Sequence, residues 1–147
     1  AFMFIQGLET LALRMREHTS NAEKIAEYLS NHDSVEKVIY PSCMDGYAKE
    51  RADKYLTKGN GGLMGFEIKG GIEAGKKFIN ALEMVYHVAN IGDSRSLAIH
   101  PGSTTHSQLN EEELLAAGIT PGFVRLSIGL EHVDDIIADY EQALAKI

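Results

Sequence analysis

Cysteine is nearly absent from this chain of 147 residues, since Cys43 is the only one. A single cysteine excludes an internal disulfide and fits a protein that works in the reducing cytoplasm. It also excludes a zinc site built from several thiolates, because such a site needs converging ligands. We therefore expect a cytoplasmic protein without disulfides and without a metal centre.

Long apolar runs and an excess of positive charge are also lacking. No stretch approaches the roughly 20 apolar residues that a membrane-spanning helix requires. Residues 1–6 form a short apolar run without a basic flank, so we do not expect them to be a signal peptide. The 21 acidic residues outnumber the 14 lysines and arginines, which gives a net charge of −7. Nucleic-acid binding needs a basic surface, so nucleic acid is not an expected partner. Because long apolar runs are lacking, a membrane is not an expected partner either.

The residues that are present, 44% of them hydrophobic, follow helix and strand patterns of one globular domain. Helical spacing of apolar residues predicts helices over 6–31 (or two stretches in line), 49–56, 72–82, 111–117 and 133–144. Alternation and short apolar segments predict strands over 35–40, 64–68, 85–89, 97–99 and 123–128. One polar strand face favours an α+β fold, a mainly antiparallel sheet with helices packed on one face.

The same spacing predicts which helix faces are apolar and where one helix starts. Asn110 is the predicted N-cap of the helix over 111–117, and Gly118 its stop. The predicted apolar faces are Leu8, Leu11, Ala12 and Met15; Ala22, Ile25, Ala26 and Leu29; Ile72, Gly75, Ile79 and Leu82; and Val133, Ile136, Ile137, Tyr140 and Leu144.

Arg125 is the first candidate functional residue. In the strand over 123–128, Val124 and Leu126 point to the core by the period of two, so Arg125 points to the opposite face with Phe123 and Ser127 beside it. A strand-held arginine presents a rigid, charged fork that matches a carboxylate. The alternative is a solvated surface arginine, which spacing alone favours.

Two polar segments precede this strand. Asn90 stands before Ile91 and Gly92; its amide is able to donate to a carboxylate, but asparagine before glycine equally shapes a turn. The loop from His100 to Ser107 holds two histidines and four hydroxyls without carboxylates or cysteines at metal-ligand spacing. We expect its histidines to fix the loop, and its hydroxyls to satisfy backbone groups.

The order and spacing of three segments carry a resemblance that no single segment carries. Residues 88–93 (VANIGD), 98–107 (AIHPGSTTHS) and 124–129 (VRLSIG) together resemble the C-terminal region of the Cys/Met-metabolism family of pyridoxal-phosphate enzymes, most of all its O-acetylhomoserine sulfhydrylase branch. The resemblance implies the small C-terminal domain of the aspartate-aminotransferase-like fold. Because family members are much longer, residues 1–147 are expected to form one C-terminal domain whose cofactor-binding domain and lysine lie upstream. The apolar start of the chain is then a cut through a buried segment.

The resemblance also implies roles for individual residues. In the family, the arginine matching Arg125 clamps the α-carboxylate of the amino-acid substrate. Asn90 matches a position where cystathionine lyases and synthases usually carry a serine that also holds this carboxylate. The implied substrate-binding residues are Arg125, Asn90, Ile91 and Thr105; no catalytic, cofactor-binding or metal-binding residue is implied within this chain.

The activity implied by the resemblance is the conversion of O-acetylhomoserine and sulfide, or a thiol, to homocysteine or methionine by a tetrameric enzyme with pyridoxal 5'-phosphate. Two alternatives stay open. One is a sibling activity, cystathionine γ-synthase or a γ- or β-lyase; Ala89 weighs against some lyases, which carry glutamate at that position. The other is a non-catalytic domain that binds an amino acid or forms a dimer.

Overall fold

The computed structural model describes the backbone of residues 1–147 and every side chain except that of Glu111. The helices are α1 (Phe2–Glu9), α2 (Leu11–Ser30), α3 (Gly46–Tyr55), α4 (Gly71–Ala81), α5 (Glu111–Ala116) and α6 (Val133–Leu144). The strands are β1 (Val35–Ile39), β2 (Leu63–Ile68), β3 (Tyr86–His87), β4 (Leu97–Ile99) and β5 (Phe123–Ser127). Within the described residues, no helix combines the length and apolarity that crossing a membrane requires.

The five strands form one sheet in the order β1-β2-β5-β4-β3. Three of its pairs, β1 with β2, β2 with β5 and β5 with β4, are antiparallel. The prediction of a mainly antiparallel sheet is therefore confirmed. The exception is the two-residue strand β3, which runs parallel to β4 because residues 88–96 carry the chain back to the same end of the sheet.

The core lies between one face of the sheet and helices α2, α4 and α6. The alternating residues of β2 that were predicted to share a face, Met64, Phe66 and Ile68, are buried there. Phe78 of α4 packs edge-on against Phe66 with ring centroids 5.4 Å apart, and Tyr140 of α6 packs against Phe78. Truncation of such a buried phenylalanine costs about 3–5 kcal/mol. Helix packing on one face is confirmed.

Two of the predicted helix faces differ from the structure. Helix α4 buries Gly75 and Ile79 as predicted, but it also buries Ala74 and Phe78, whereas Ile72 and Leu82 are half-buried, because α4 packs against both β2 and α6. Near the start of α2, Leu11 and Met15 are 40% and 42% exposed. The spacing thus correctly identified an apolar face at the start of α2, but no described residue covers that face. The other two faces, in the second half of α2 and in α6, are buried apart from Ile137, which is half-buried.

Helix α5 begins with a reciprocal cap, as its sequence predicted. The Asn110 side chain accepts the Glu113 N–H at 3.0 Å, and the Glu113 carboxylate accepts the Asn110 N–H at 2.9 Å. Together these bonds satisfy two backbone donors that a helix start leaves without partners. The cap also fixes the far end of the polar loop that starts at His100.

Candidate functional site

Strand β5 presents three polar or aromatic side chains on the sheet face opposite the helices. Val124 and Leu126 are fully buried in the core, so the intervening Arg125 points outward, as predicted. Its cross-strand neighbours are Gly65 on β2 and Ile99 on β4. Arg125 therefore stands in the middle of the sheet, held on a strand that is paired on both sides.

Among the described residues, the guanidinium of Arg125 has one hydrogen-bond partner. Its Nη2 donates to the backbone carbonyl of Asn90 at 3.3 Å, a long hydrogen bond. Among the described side chains, no carboxylate lies within ion-pair distance of it, whereas Arg95 on the adjacent loop is paired with Asp93. Most of the donors of Arg125 are thus open to an incoming anion.

The Phe123 side chain of β5 makes a close contact with Gly65 of β2, the residue paired with Arg125. A methyl group added at Gly65 would lie 2.8 Å from Cζ of Phe123. The Phe123 ring therefore lies across β2 at the one position beside Arg125 that has no side chain. The ring thus gives β2 an apolar cover at the position paired with Arg125, which the sequence did not reveal because it depends on the register of β2 and β5.

The loop of residues 88–96 lies along the other side of Arg125. Ser127, buried on β5, accepts the Gly92 N–H through its hydroxyl at 3.1 Å. Asn90 and Ile91 are exposed, and Asn90 meets Arg125 through its carbonyl rather than its amide. Two of the predicted substrate-binding residues are thus brought next to Arg125 by backbone contacts, with their side chains facing solvent.

Charged groups stiffen the same loop. Asp93 accepts both the backbone N–H and the side chain of Arg95, and these bonds lower the pKa of its carboxyl. The Arg95 guanidinium in turn lies 4.6 Å from the centre of the Tyr86 ring, a cation–π contact at the edge of the sheet.

The polar loop after β4 is organised by one buried histidine. His100 Nε2 lies 2.8 Å from the Pro121 carbonyl, which makes it the donor, and Nδ1 lies 2.8 Å from the Ser103 hydroxyl. Its backbone carbonyl accepts the Thr104 hydroxyl at 2.7 Å. Burial lowers the pKa of His100, which favours the neutral ring. The prediction that His100 fixes the loop is confirmed.

Thr105 is exposed on this loop, and its hydroxyl pairs with the His106 ring at 2.8 Å. Among the described residues, no hydrogen bond joins Thr105 to Arg125 or Asn90. The structure therefore gathers Arg125, Asn90 and Ile91 but leaves Thr105 without a direct contact to them.

Lysines are the side chains that attach a cofactor aldehyde. Every lysine of the chain is exposed apart from Lys49, which is half-buried and paired with Asp53 on the surface of α3. A lysine that forms a stable imine needs a desolvated setting that keeps it deprotonated. The described residues also contain no cluster of three or more potential metal ligands.

Comparison with known proteins decides which family this arrangement belongs to. The model of the Cys/Met metabolism PLP-dependent enzymes matches residues 1–145. The chain belongs to this family. Pyridoxal phosphate is the cofactor of the Cys/Met metabolism family, so the predicted family and cofactor are confirmed.

Named relatives from the family cover nearly the whole chain. An O-acetyl-L-homoserine sulfhydrylase of Leptospira meyeri is 53% identical over 148 residues, covering 100% of this chain and 34% of that protein. An L-methionine gamma-lyase of Fusobacterium nucleatum subsp. polymorphum is 46% identical over 147 residues, covering 100% of this chain and 37% of that protein. The chain thus spans about a third of the length of the curated relatives it matches.

A solved structure confirms the fold. It is a Campylobacter jejuni protein assigned as an O-acetylhomoserine (thiol)-lyase, crystallised with a pyridoxyl-lysine phosphate group. It superimposes with a TM-score of 0.87 at 47% identity over 95% of this chain and 33% of that one. The α+β fold predicted from the sequence is therefore the fold of this family of PLP-dependent enzymes.

Proposed function

We propose that this chain is the substrate-carboxylate-binding domain of a PLP-dependent O-acetylhomoserine sulfhydrylase. The whole enzyme would exchange the acetate of O-acetylhomoserine for sulfide, giving homocysteine, or for a methyl thiol, giving methionine. Support comes from the sulfhydrylase relative at 53% identity over the full chain. Further support comes from Arg125, which stands in the middle of the sheet with most of its hydrogen-bond donors unused by the described residues.

The absence of an acidic partner beside Arg125, within the described residues, is the observation that carries this proposal. Arg95 on the neighbouring loop, by contrast, is paired with Asp93. Arg125 keeps a planar fork of donors that matches the two oxygens of an amino-acid carboxylate. The Phe123 ring on one side and the loop at Asn90 on the other limit how that carboxylate approaches.

Each site residue has a distinct part in this proposal. Arg125 binds and orients the carboxylate. Asn90 holds the guanidinium through its carbonyl and turns its exposed amide to the substrate. Ile91, 57% exposed, supplies an apolar contact beside it. Thr105 belongs to the mouth of the site and meets the substrate from the neighbouring loop.

The cofactor supplies the electron sink for breaking bonds at the substrate carbons. In this proposal the residues around Arg125 orient the substrate against the cofactor. Because the chain spans about a third of the length of its relatives, we infer that residues 1–147 are one C-terminal domain of a longer, cytoplasmic enzyme. We propose that this enzyme is a homo-oligomer, and the family resemblance implies a tetramer. The isolated chain is expected to have no turnover.

A γ-lyase that cleaves methionine is the second candidate. It is supported by the methionine gamma-lyase relative at 46% identity, only slightly below the sulfhydrylase. Both reactions begin with the same carboxylate contact and differ in what leaves and what is added at the γ-carbon. The residues around Arg125 therefore serve either reaction.

Assays of the full-length protein separate the candidates. O-acetylhomoserine with sulfide, O-succinylhomoserine with sulfide, and methionine alone are supplied in parallel. We expect homocysteine and acetate from the first mixture at much the highest kcat/KM. Cleavage of methionine to a 2-oxo acid as the dominant reaction would favour the lyase. Amino-acid binding without turnover of any of them would favour a non-catalytic domain.

A further inference from the structure

We propose that Glu131 is a positioning residue that sets the loop at Asn90 against Arg125, an inference that rests on the proposed function. Its Oε1 accepts the Ser96 backbone N–H at 2.7 Å, and its Oε2 accepts the Ser96 hydroxyl at 2.9 Å. The Ser96 hydroxyl oxygen in turn accepts the Gly129 N–H at 2.8 Å. One carboxylate thus joins two segments 35 residues apart through a fully buried serine.

Gly129 makes this junction possible by its lack of a side chain. A methyl group added there would lie 2.5 Å from the carbonyl carbon of Arg95 and closer still to Glu131 and the Ser96 nitrogen. Backbone therefore packs on backbone at this point, and no larger residue fits without moving the loop. The close approach fixes the distance between Gly129 and the backbone of Arg95 and Ser96, where the loop of residues 88–96 joins β4.

The junction holds the base of the loop that carries Asn90. The Ser96 carbonyl accepts the Tyr86 N–H at 3.1 Å, and the Ser94 carbonyl accepts the Leu130 N–H at 2.8 Å. Among the described residues, the tip is held by the Gly92 N–H to the Ser127 hydroxyl at 3.1 Å and by the longer bond of Arg125 to the Asn90 carbonyl at 3.3 Å. Release of the base therefore lets the tip shift relative to the guanidinium.

Helix α2 anchors the backbone from which Glu131 reaches. Asn21, buried on α2, donates to the carbonyls of Glu131 at 2.9 Å and Gly129 at 3.2 Å. His18 Nδ1 lies 2.6 Å from the Ile128 carbonyl. Because residues 128–131 are fixed on the long helix, the carboxylate is a rigid strut and not a flexible surface group.

The chemistry of the contact favours a carboxylate over an amide. Ser96 offers two donors, its N–H and its hydroxyl, and both point at the two oxygens of Glu131. Glutamine keeps one acceptor but turns an N–H₂ group toward the other donor. Glu131→Gln therefore keeps part of the contact, and Glu131→Ala removes all of it.

Amide hydrogen exchange of the full-length protein tests the strut directly. In Glu131→Ala, the hydrogen-bonded amides of Ser96 at the base and Gly92 at the tip are expected to exchange roughly ten- to hundredfold faster, the loss expected for charge-assisted hydrogen bonds. Glu131→Gln gives a smaller change, and Glu50→Ala, which removes an exposed carboxylate from α3, gives none. If Glu131→Ala is poorly folded, Ser96→Ala is the second variant, with the same loop affected. Unchanged exchange of the loop in well-folded variants would overturn the inference.

Kinetics then test whether the strut serves the carboxylate site. In Glu131→Ala, the KM for the amino-acid substrate should rise roughly tenfold, with the KM for sulfide unchanged. Because Glu131 acts through the loop at Arg125, the same substitution in an Arg125→Ala background should add little. An additive effect, or an equal loss in every kinetic parameter, would contradict a positioning role. If the wild-type enzyme does not convert O-acetylhomoserine, the proposed function fails while the exchange comparison still decides the position of the loop.

Discussion

Replacement of Arg125 by alanine in the full-length enzyme perturbs the proposed carboxylate contact and little else. The side chain gives up one long hydrogen bond to the Asn90 carbonyl, which water is able to replace at this half-buried position. It contributes nothing to the core, because Val124 and Leu126 point the other way. We therefore expect a stability change of at most about 1 kcal/mol.

The kinetic effect of the same substitution should be much larger. Charge-assisted hydrogen bonds contribute about 1.5–3 kcal/mol each, which corresponds to roughly ten- to more than hundredfold in kcat/KM for the amino-acid substrate. Loss of the clamp also misplaces the Cα–H bond that must break. Arg125→Lys should recover only part of the rate, because a point charge does not reproduce the planar fork.

Steady-state kinetics and thermal melting of Arg125→Ala are measured beside those of Arg51→Ala. Arg51 is an exposed arginine of α3 that lies over the Tyr47 ring, so its loss removes the same charge elsewhere. The control should keep wild-type kinetics. Near-normal kcat/KM for Arg125→Ala would refute the carboxylate role. A large drop in melting temperature with unaltered kinetics would make Arg125 a structural residue instead.

Three further predictions concern other parts of the chain. Among the described residues the buried hydroxyl of Tyr140 has no hydrogen-bond partner, so Tyr140→Phe should leave stability unchanged or raise it by about 1 kcal/mol in denaturant titration; a clear loss would show that the hydroxyl is paired. Burial lowers the pKa of His100 below its ordinary 6.5, so its contribution to stability is present above that value and is lost as pH falls through the folded pKa. Melting temperature should therefore fall more steeply with acid in the wild type than in His100→Gln, and parallel curves would contradict this. The side chains of residues 2–5 are 55–83% exposed and apolar, so the isolated chain should self-associate in sedimentation experiments; a monomer at high concentration, unchanged on removing residues 1–5, would oppose this.

Local patterns in the sequence predicted much of the fold because the physics behind them is local. The cap at Asn110 needs only residues within one helical turn, and the outward direction of Arg125 follows from the period of two along β5. The stripe of α6 likewise needs only helical spacing, although Ile137 at its edge is half-buried.

Features that depend on distant segments meeting were not predictable in this way. The contact of Phe123 with Gly65 follows from the register of two strands, and the strut from Glu131 to Ser96 joins residues far apart in sequence. The apolar spacing of Leu11 and Met15 predicted a face without indicating what covers it.

The most direct test of the central claim is a crystal structure of the full-length enzyme with a bound, unreactive amino-acid analogue of its substrate. We predict that the analogue's carboxylate lies against Arg125 in a two-pronged contact, with N···O distances of about 2.7–2.9 Å. The loop at Asn90 should border the same carboxylate. A ligand carboxylate bound by another cationic group, with Arg125 still bonded only to the Asn90 carbonyl, would contradict the account.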